Sequence, residues 1–431
     1  MNNLINYQYS NFIQNRFLII FYLVIFEGAI RKWIFHSSGI YILVIKDILI
    51  LTTIHYAFKN KIFNFNKNFE KFLLLWTFLV LLWIFFQLVF KNNALIFYLV
   101  GFRNWVLYMW FSLICYRVFD YKNIYFLSKY IIFSLIILAP LSIIQHFLPV
   151  DHFLNSLPKE GYIFQVVPGI VRTTSTFSHV YGYTQYIMFI CPLIYVLMFN
   201  HKIFNLSKKL SIFVIFLFFI AVATSGSRGT ILFTILMLLP FILSRLTIKF
   251  VKDEIFFKII GSVVLILVLY YFFPVALEAT SQRFEQAGEQ EDMFNRLKST
   301  IFGSKETWEN ISVLGNGIGL GSNIARSILG NFGYFAFGEF ESDRVINEGG
   351  ILGLLFNFIK IFSFYFVILS FKHLRKEKNQ LAFFYWSYLF IHLNTSQITG
   401  QVTSHAFTYL ALGFGMVLIK DYFNTKEKNY K

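Results

Sequence analysis

Phe340-Glu341-Ser342-Asp343-Arg344-Val345-Ile346-Asn347-Glu348-Gly349-Gly350-Ile351-Leu352-Gly353 is where the chain changes solvent. The first half is charged and punctuated by glycine. The second half opens an apolar run of about 20 residues, the length that crosses a bilayer core. Arg344 and Glu348 are four apart, so on a helix they share a face. The stretch closes a long polar segment, residues 275–345, and runs of comparable apolarity recur on both sides of it.

Composition extends this reading to the whole chain. The 431 residues are 57% hydrophobic and 14% charged, with a mean hydropathy of +0.61. A soluble domain carries about 25% charged residues. The expected fold is therefore an all-α polytopic membrane protein, one domain over 1–431 with 275–345 as a large external loop. Twelve spans are expected, near 16–35, 39–58, 70–90, 94–116, 129–149, 179–199, 210–225, 229–246, 255–274, 346–370, 381–395 and 404–420. The run beginning near Arg16 lacks a small-residue cleavage site, so it reads as a first span, not a signal peptide. Cys115 and Cys191 both fall inside apolar runs and offer no disulfide framework or metal spacing. The 57 phenylalanines fit lipid-facing bulk; an aromatic sugar groove is the sharper alternative.

Charge sets the orientation. With both termini cytoplasmic, the inner segments hold 23 of the 38 Lys and Arg, and each one after the first carries at least three. This follows the positive-inside rule. It also accounts for the net charge of +16 without a nucleic-acid partner. The two cations are distributed differently. Of 12 arginines, Arg16, Arg117, Arg245 and Arg375 lie inside, while Arg31, Arg103, Arg172, Arg228, Arg283, Arg296, Arg326 and Arg344 lie outside. Arginine is the side chain suited to bidentate phosphate and carboxylate recognition. Ordinary ion pairing is the plain alternative.

Several short stretches carry chemistry. Glu27 and Arg31 are spaced i, i+4 near the outer end of the first span, either as a structural pair beside Trp33 or as part of a site. Lys46 and Asp47 are adjacent and cannot share a helix face, so at least one needs a partner on another span. Gly101-Phe102-Arg103-Asn104 interrupts the fourth span, and irregular backbone at that depth suits a cavity wall, with Arg103 as a candidate cavity residue. Arg172-Thr173-Thr174-Ser175-Thr176-Phe177-Ser178-His179 offers hydroxyls, a cation and a candidate base to a glycan or phosphate. Ser225-Gly226-Ser227-Arg228-Gly229 places an arginine between glycines at a helix start, an arrangement that favours an anion. Gly315, Gly317, Gly319 and Gly321 alternate without the strand and helix of a dinucleotide fold, and read as a flexible substrate-gating turn. No metal-ligand cluster, Asp-x-Asp or nucleophile triad stands out. No internal repeat is visible, which weighs against a transporter built from matched halves.

Arg172 to Gly182, Ser225 to Gly229, and Glu348-Gly349-Gly350-Ile351-Leu352-Gly353 together resemble the O-antigen polymerase and ligase superfamily, the Wzy- and WaaL-like membrane glycosyltransferases. Phe26-Glu27-Gly28-Ala29-Ile30-Arg31-Lys32-Trp33 also looks like the start of a branch of that superfamily. The resemblance covers most of the chain in layout and rests on short motifs. It implies a metal-independent inverting enzyme of the bacterial cytoplasmic membrane, with no cofactor. Its donor is an undecaprenyl-diphosphate-linked glycan, used at the outer face. By motif position Arg172 and Arg228, with Arg344 beside them, are expected to hold the diphosphate. Arg31, Arg103, Arg296 and His179 complete the expected binding set. Ligase-like members carry a His-Asn pair about nine residues before the motif glutamate. Here that region reads Gly338-Glu339-Phe340-Glu341-Ser342-Asp343-Arg344, without histidine. The departure favours a polymerase of repeat units over a ligase or a lipid-linked oligosaccharide flippase. Glu341, Arg344 and Glu348 are then the expected catalytic group, with Glu341 as base and Glu339 as its understudy. The implied partners are the glycan donor and acceptor, the bilayer and a chain-length regulator.

Overall fold

In the computed structural model the residues described are 2–35, 42–65, 67–157, 163–167, 169–199, 201–247, 293–329, 338, 340–377 and 380–420. The expected span 255–274, Arg283 and Glu339 lie outside them. The described chain is almost entirely helical. Five helical segments are long and apolar enough to cross a membrane: Tyr9–Trp33, Asn68–Lys91, Tyr121–Phe147, Val180–Phe199 and Ile351–Leu374. This is an all-α membrane protein.

The first half comprises α1 (Asn2–Trp33), α2 (Ile42–Lys59), α3 (Asn68–Lys91), α4 (Leu95–Phe102), α5 (Tyr108–Val118), α6 (Tyr121–Phe147), α7 (Val180–Phe199), α8 (Lys208–Thr224), α9 (Arg228–Leu236) and α10 (Leu238–Thr247). A π-turn, Arg103–Leu107, joins α4 to α5. An antiparallel ribbon, β1 (Gln165–Val167) and β2 (Ile170–Val171), precedes α7. The second half comprises α11 (Met293–Phe302), α12 (Lys305–Glu309), α13 (Asn323–Leu329), α14 (Glu341–Gly349), α15 (Ile351–Glu377), α16 (Gln380–Thr395) and α17 (Val402–Leu418).

Local chemistry sets the helix ends. Asp120 and Asn123 form a reciprocal capping box at the start of α6. Ser207 and Ser227 cap α8 and α9. Gly350 separates α14 from α15. Its φ is +57°, and a Cβ there would strike the carbonyls of Ser312 and Val313. The span expected at 346–370 is therefore split, and the long apolar helix begins at Ile351.

Burial sorts the helices. The most apolar window of α7 is 89% buried and that of α3 only 28%. α7 is apolar all round and sits inside the bundle, packed against α8, α16 and α17. α3 turns Phe72, Phe78, Phe85 and Phe90 outward on the surface of the bundle. Inside, the rings of Trp76 and Trp105 lie parallel and Phe356 stacks on Trp105.

The bundle has two polar ends. At one, Arg117 makes a bidentate ion pair with Glu70, and Lys420 donates to the carbonyls of Arg117 and Phe119. At the other gather the ends of α1, α3 and α16, the starts of α7, α9 and α17, and the whole of α14. The described part of 275–345 is largely helical. It folds into α11 to α14, and α14 is buried within the bundle.

Candidate functional site

α14 is charged yet buried. Glu341, Asp343, Arg344 and Glu348 are each less than a tenth exposed. Each charge is matched, as low dielectric demands. Glu341 Oε1 accepts from the Thr399 N–H at 2.7 Å and the Thr399 hydroxyl at 2.8 Å. Its Oε2 meets Arg344 Nη1 at 3.4 Å, the i, i+3 pair of this helix. Asp343 accepts from the Ser304 N–H at 2.6 Å. The Ser342 hydroxyl donates to the carbonyls of Thr300 and Ile301, which holds the end of α11 against α14.

Glu348 has a different role from the one its motif suggests. It is fully buried. Its Oε1 accepts from the Gly321 N–H at 2.7 Å, and its Oε2 from the Gly319 N–H at 3.0 Å and Trp105 Nε1 at 3.3 Å. These hydrogen bonds tie its carboxylate to the glycine loop and the π-turn. Glu348 anchors the loop. That loop is also not the free gate its glycines suggest. Gln87, at the end of α3, donates to the carbonyls of Leu314 and Glu348 and accepts from the Ile318 N–H. Gly319 is needed because the loop backbone there lies directly against α4, where a Cβ would collide with Phe97 and Gly101, and Gly315 lies as close to Glu348 and Gly350.

The same loop explains the interruption in the fourth span. Gly101 faces Ile318 across a gap too small for any side chain. The irregular backbone there receives the glycine loop and does not line a cavity. Arg103 is correspondingly engaged: Nε reaches Asp47 at 2.7 Å, Nη1 reaches Asn104 at 2.7 Å and Nη2 reaches the Tyr108 hydroxyl at 3.3 Å. In this structure it locks α2 to the π-turn instead of facing a ligand. Lys46 and Asp47 divide as their adjacency requires. Lys46 pairs with Glu27 of α1, and Asp47 with Arg103 and Tyr108. Glu27 also holds Arg31 at 3.4 Å.

These contacts form one connected network. Asn104 donates to the Thr399 carbonyl at 2.7 Å, and Thr399 in turn holds Glu341. The Gln397 N–H donates to the Tyr181 hydroxyl at 2.8 Å, which ties the start of α7 to the same loop. Thr399, Gln397, Gln87 and Tyr181 were not singled out from sequence. The polar exit of α16, Asn394-Thr395-Ser396-Gln397, was the one available sign, because it sits where an apolar helix should simply end.

The hydroxyls of 173–176 turn inward onto the protein. Thr173 donates to the Thr224 carbonyl, Ser175 to Leu138 and Thr176 to Ile25. The Lys32 ammonium donates to Thr174 and to the Ser175 carbonyl. This plug packs so closely on α1 that Gly28 admits no Cβ. Arg172 remains half-buried and His179 exposed at its two ends, and Thr173 brings that segment against the turn that carries Arg228. Although one face of His179 stays exposed, burial of the rest holds its imidazole below the usual 6.5, and the nearby Arg172 charge lowers it further. Arg296 of α11 lies over the Phe340 ring at 5.8 Å, beside the start of α14.

The tertiary structure thus brings Arg31, Arg103, Arg172, Arg228, Arg296 and Arg344 to one end of the bundle, with Arg103 committed to the protein itself. Comparison with family models, curated proteins and solved structures gives no match.

Proposed function

We propose that this chain is a polysaccharide polymerase, a membrane glycosyltransferase that joins undecaprenyl-diphosphate-linked repeat units at the outer face of the bacterial cytoplasmic membrane. The reading includes twelve spans, both termini inside, and the arginine end of the bundle outside. The observation that carries it is Arg344. It is a buried arginine on a short helix, and among the described residues its one side-chain hydrogen-bond partner is Glu341 at 3.4 Å. A guanidinium so loosely paired, at the end where the other arginines gather, is suited to exchange its carboxylate for a diphosphate.

In this mechanism an acceptor hydroxyl attacks the anomeric carbon of the donor glycan. The new C–O bond forms as the bond to the diphosphate breaks, with inversion at that carbon. Arg344, Arg172, Arg228, Arg31 and Arg296 stabilise the charge that builds on the leaving diphosphate, the electrostatic term expected to dominate. His179 binds the glycan beside Arg172. Glu341 is fully enclosed while Arg344 covers it. Movement of Arg344 to the diphosphate uncovers Oε2, which then takes the proton from the acceptor hydroxyl. Glu348 positions the glycine loop.

The test is deletion of the gene followed by analysis of lipid-linked glycans. A polymerase leaves single repeat units on the lipid carrier at the outer face. Polymer that is intact but unattached to its acceptor would instead mark a ligase, and units trapped at the inner face a flippase. Either result overturns the reading.

A further inference from the structure

The Arg344 side chain runs between two glycines from separate loops. Gly321 belongs to the glycine loop, and a Cβ there would lie 2.7 Å from Arg344 Cγ and 3.0 Å from its Cδ. Gly400 belongs to the loop between α16 and α17, and a Cβ there would fall on the guanidinium itself. The Asn323 N–H donates to the Gly400 carbonyl at 2.9 Å, so the two loops are joined beside the arginine. Neither glycine has a positive φ. Backbone conformation therefore does not require glycine at these positions; the space taken by Arg344 does.

We infer that Gly321 and Gly400 form a slot that positions the Arg344 guanidinium for the diphosphate, which makes Gly400 a positioning residue of the reaction. The inference rests on the polymerase reading above. The two walls act on different parts of the side chain. Gly321 confines the aliphatic stem close to the helix, where little can yield, and also borders Glu348. Gly400 meets only the far end, which is free to swing. A methyl at 400 therefore displaces the guanidinium without disturbing α14, and the fold survives. The displacement is on the order of an ångström, because the methyl occupies the present place of Nη1. A misplacement of that size costs a charged catalytic contact about a hundredfold in rate.

The experiment uses the full chain in three variants: Arg344→Lys, Gly400→Ala and the double variant. Polymer formation is read in membranes, and binding of a short isoprenoid diphosphate is read on the purified protein in detergent. Gly400→Ala is expected to lose about a hundredfold in polymer formation and to weaken diphosphate binding. The double variant is expected to be no worse than Arg344→Lys alone, because both changes act on one group. Losses that multiply would show Gly400 acting independently of Arg344 and overturn the inference. So would a Gly400→Ala protein with wild-type binding and polymer while Arg344→Lys is inactive. An Arg344→Lys variant that still makes polymer at the wild-type level removes Arg344 from the diphosphate site and overturns the inference at its premise, whereas failure of the polymerase reading shows in the gene-deletion experiment, which separates the two failures. If Gly400→Ala fails to insert, Arg344→Ala with Gly400→Ala must restore insertion by emptying the slot; no restoration places the clash elsewhere and ends the proposal.

Discussion

Gln87→Met removes one clamp and tests how the site is held together. Gln87 is fully buried at the end of α3. Its amide donates to the Leu314 carbonyl at 2.5 Å and the Glu348 carbonyl at 2.8 Å, and accepts from the Ile318 N–H at 2.9 Å. Methionine matches its length and fills the same space. The two carbonyls keep other donors, Trp83 Nε1 on Leu314 and the Gly317 N–H on Glu348. Each carbonyl therefore loses about 0.5–1 kcal/mol, the lower part of the net value of a hydrogen bond. The Ile318 N–H loses the Gln87 acceptor while buried, which costs about 1–3 kcal/mol. The expected sum is about 2–5 kcal/mol. Because Glu348 and the glycine loop hold one another, the loss appears as loosening of the loop around Arg344. The assay is thermal unfolding of the purified protein in detergent, paired with polymer length in cells. Gln87→Met should melt several degrees lower and make shorter chains. Gln87→Glu should be worse, because a carboxylate faces two carbonyl oxygens. A Gln87→Met protein that melts with wild type would refute the clamp.

Four further outcomes follow from the same geometry. Arg228→Lys should abolish long polymer while the protein still inserts, since an ammonium does not reproduce a guanidinium fork; wild-type chain length on a sugar gel would remove Arg228 from the diphosphate site. Glu341→Gln should also lose polymer, by about 10²- to 10⁴-fold if the carboxylate is the base, and near-normal polymer would discharge it from that role. Asp47→Asn strands the buried Arg103 charge and should cost about 3–5 kcal/mol, whereas Asp47→Leu with Arg103→Met should melt closer to wild type; a double variant less stable than Asp47→Asn would contradict the lock. His179 should titrate below 6.5 by NMR. Its folded form then binds fewer protons than the unfolded chain, so its contribution to stability is complete above 6.5 and is lost as pH falls through the folded value. Arg172→Gln should raise that midpoint only part of the way, because burial is the larger cause.

Much was legible in the chain itself. Apolar length identified membrane helices, because a helix satisfies its own backbone groups in lipid and needs about 20 apolar residues to cross. Spacing predicted the Glu27–Arg31 pair, and adjacency predicted separate partners for Lys46 and Asp47. The arginines assigned to one side from loop charge lie at one end of the bundle wherever the structure describes their contacts.

What the chain alone left open is which polar groups are committed. Arg103 and Arg344 look alike as sequence, yet Arg103 is held by three side chains and Arg344 by one long contact. Glu341 and Glu348 both face inward from α14, yet one pairs with an arginine and the other anchors a loop. These differences depend on Thr399, Gln87 and Gly400, which come from distant parts of the chain. Local pattern records period and charge, whereas the value of a buried charge depends on the donors that tertiary packing brings to it. The sequence by itself determined a helical membrane protein, and only the folded structure decided that Arg103 is held by Asp47, Asn104 and Tyr108 while Arg344 lies between Gly321 and Gly400 beside Glu341.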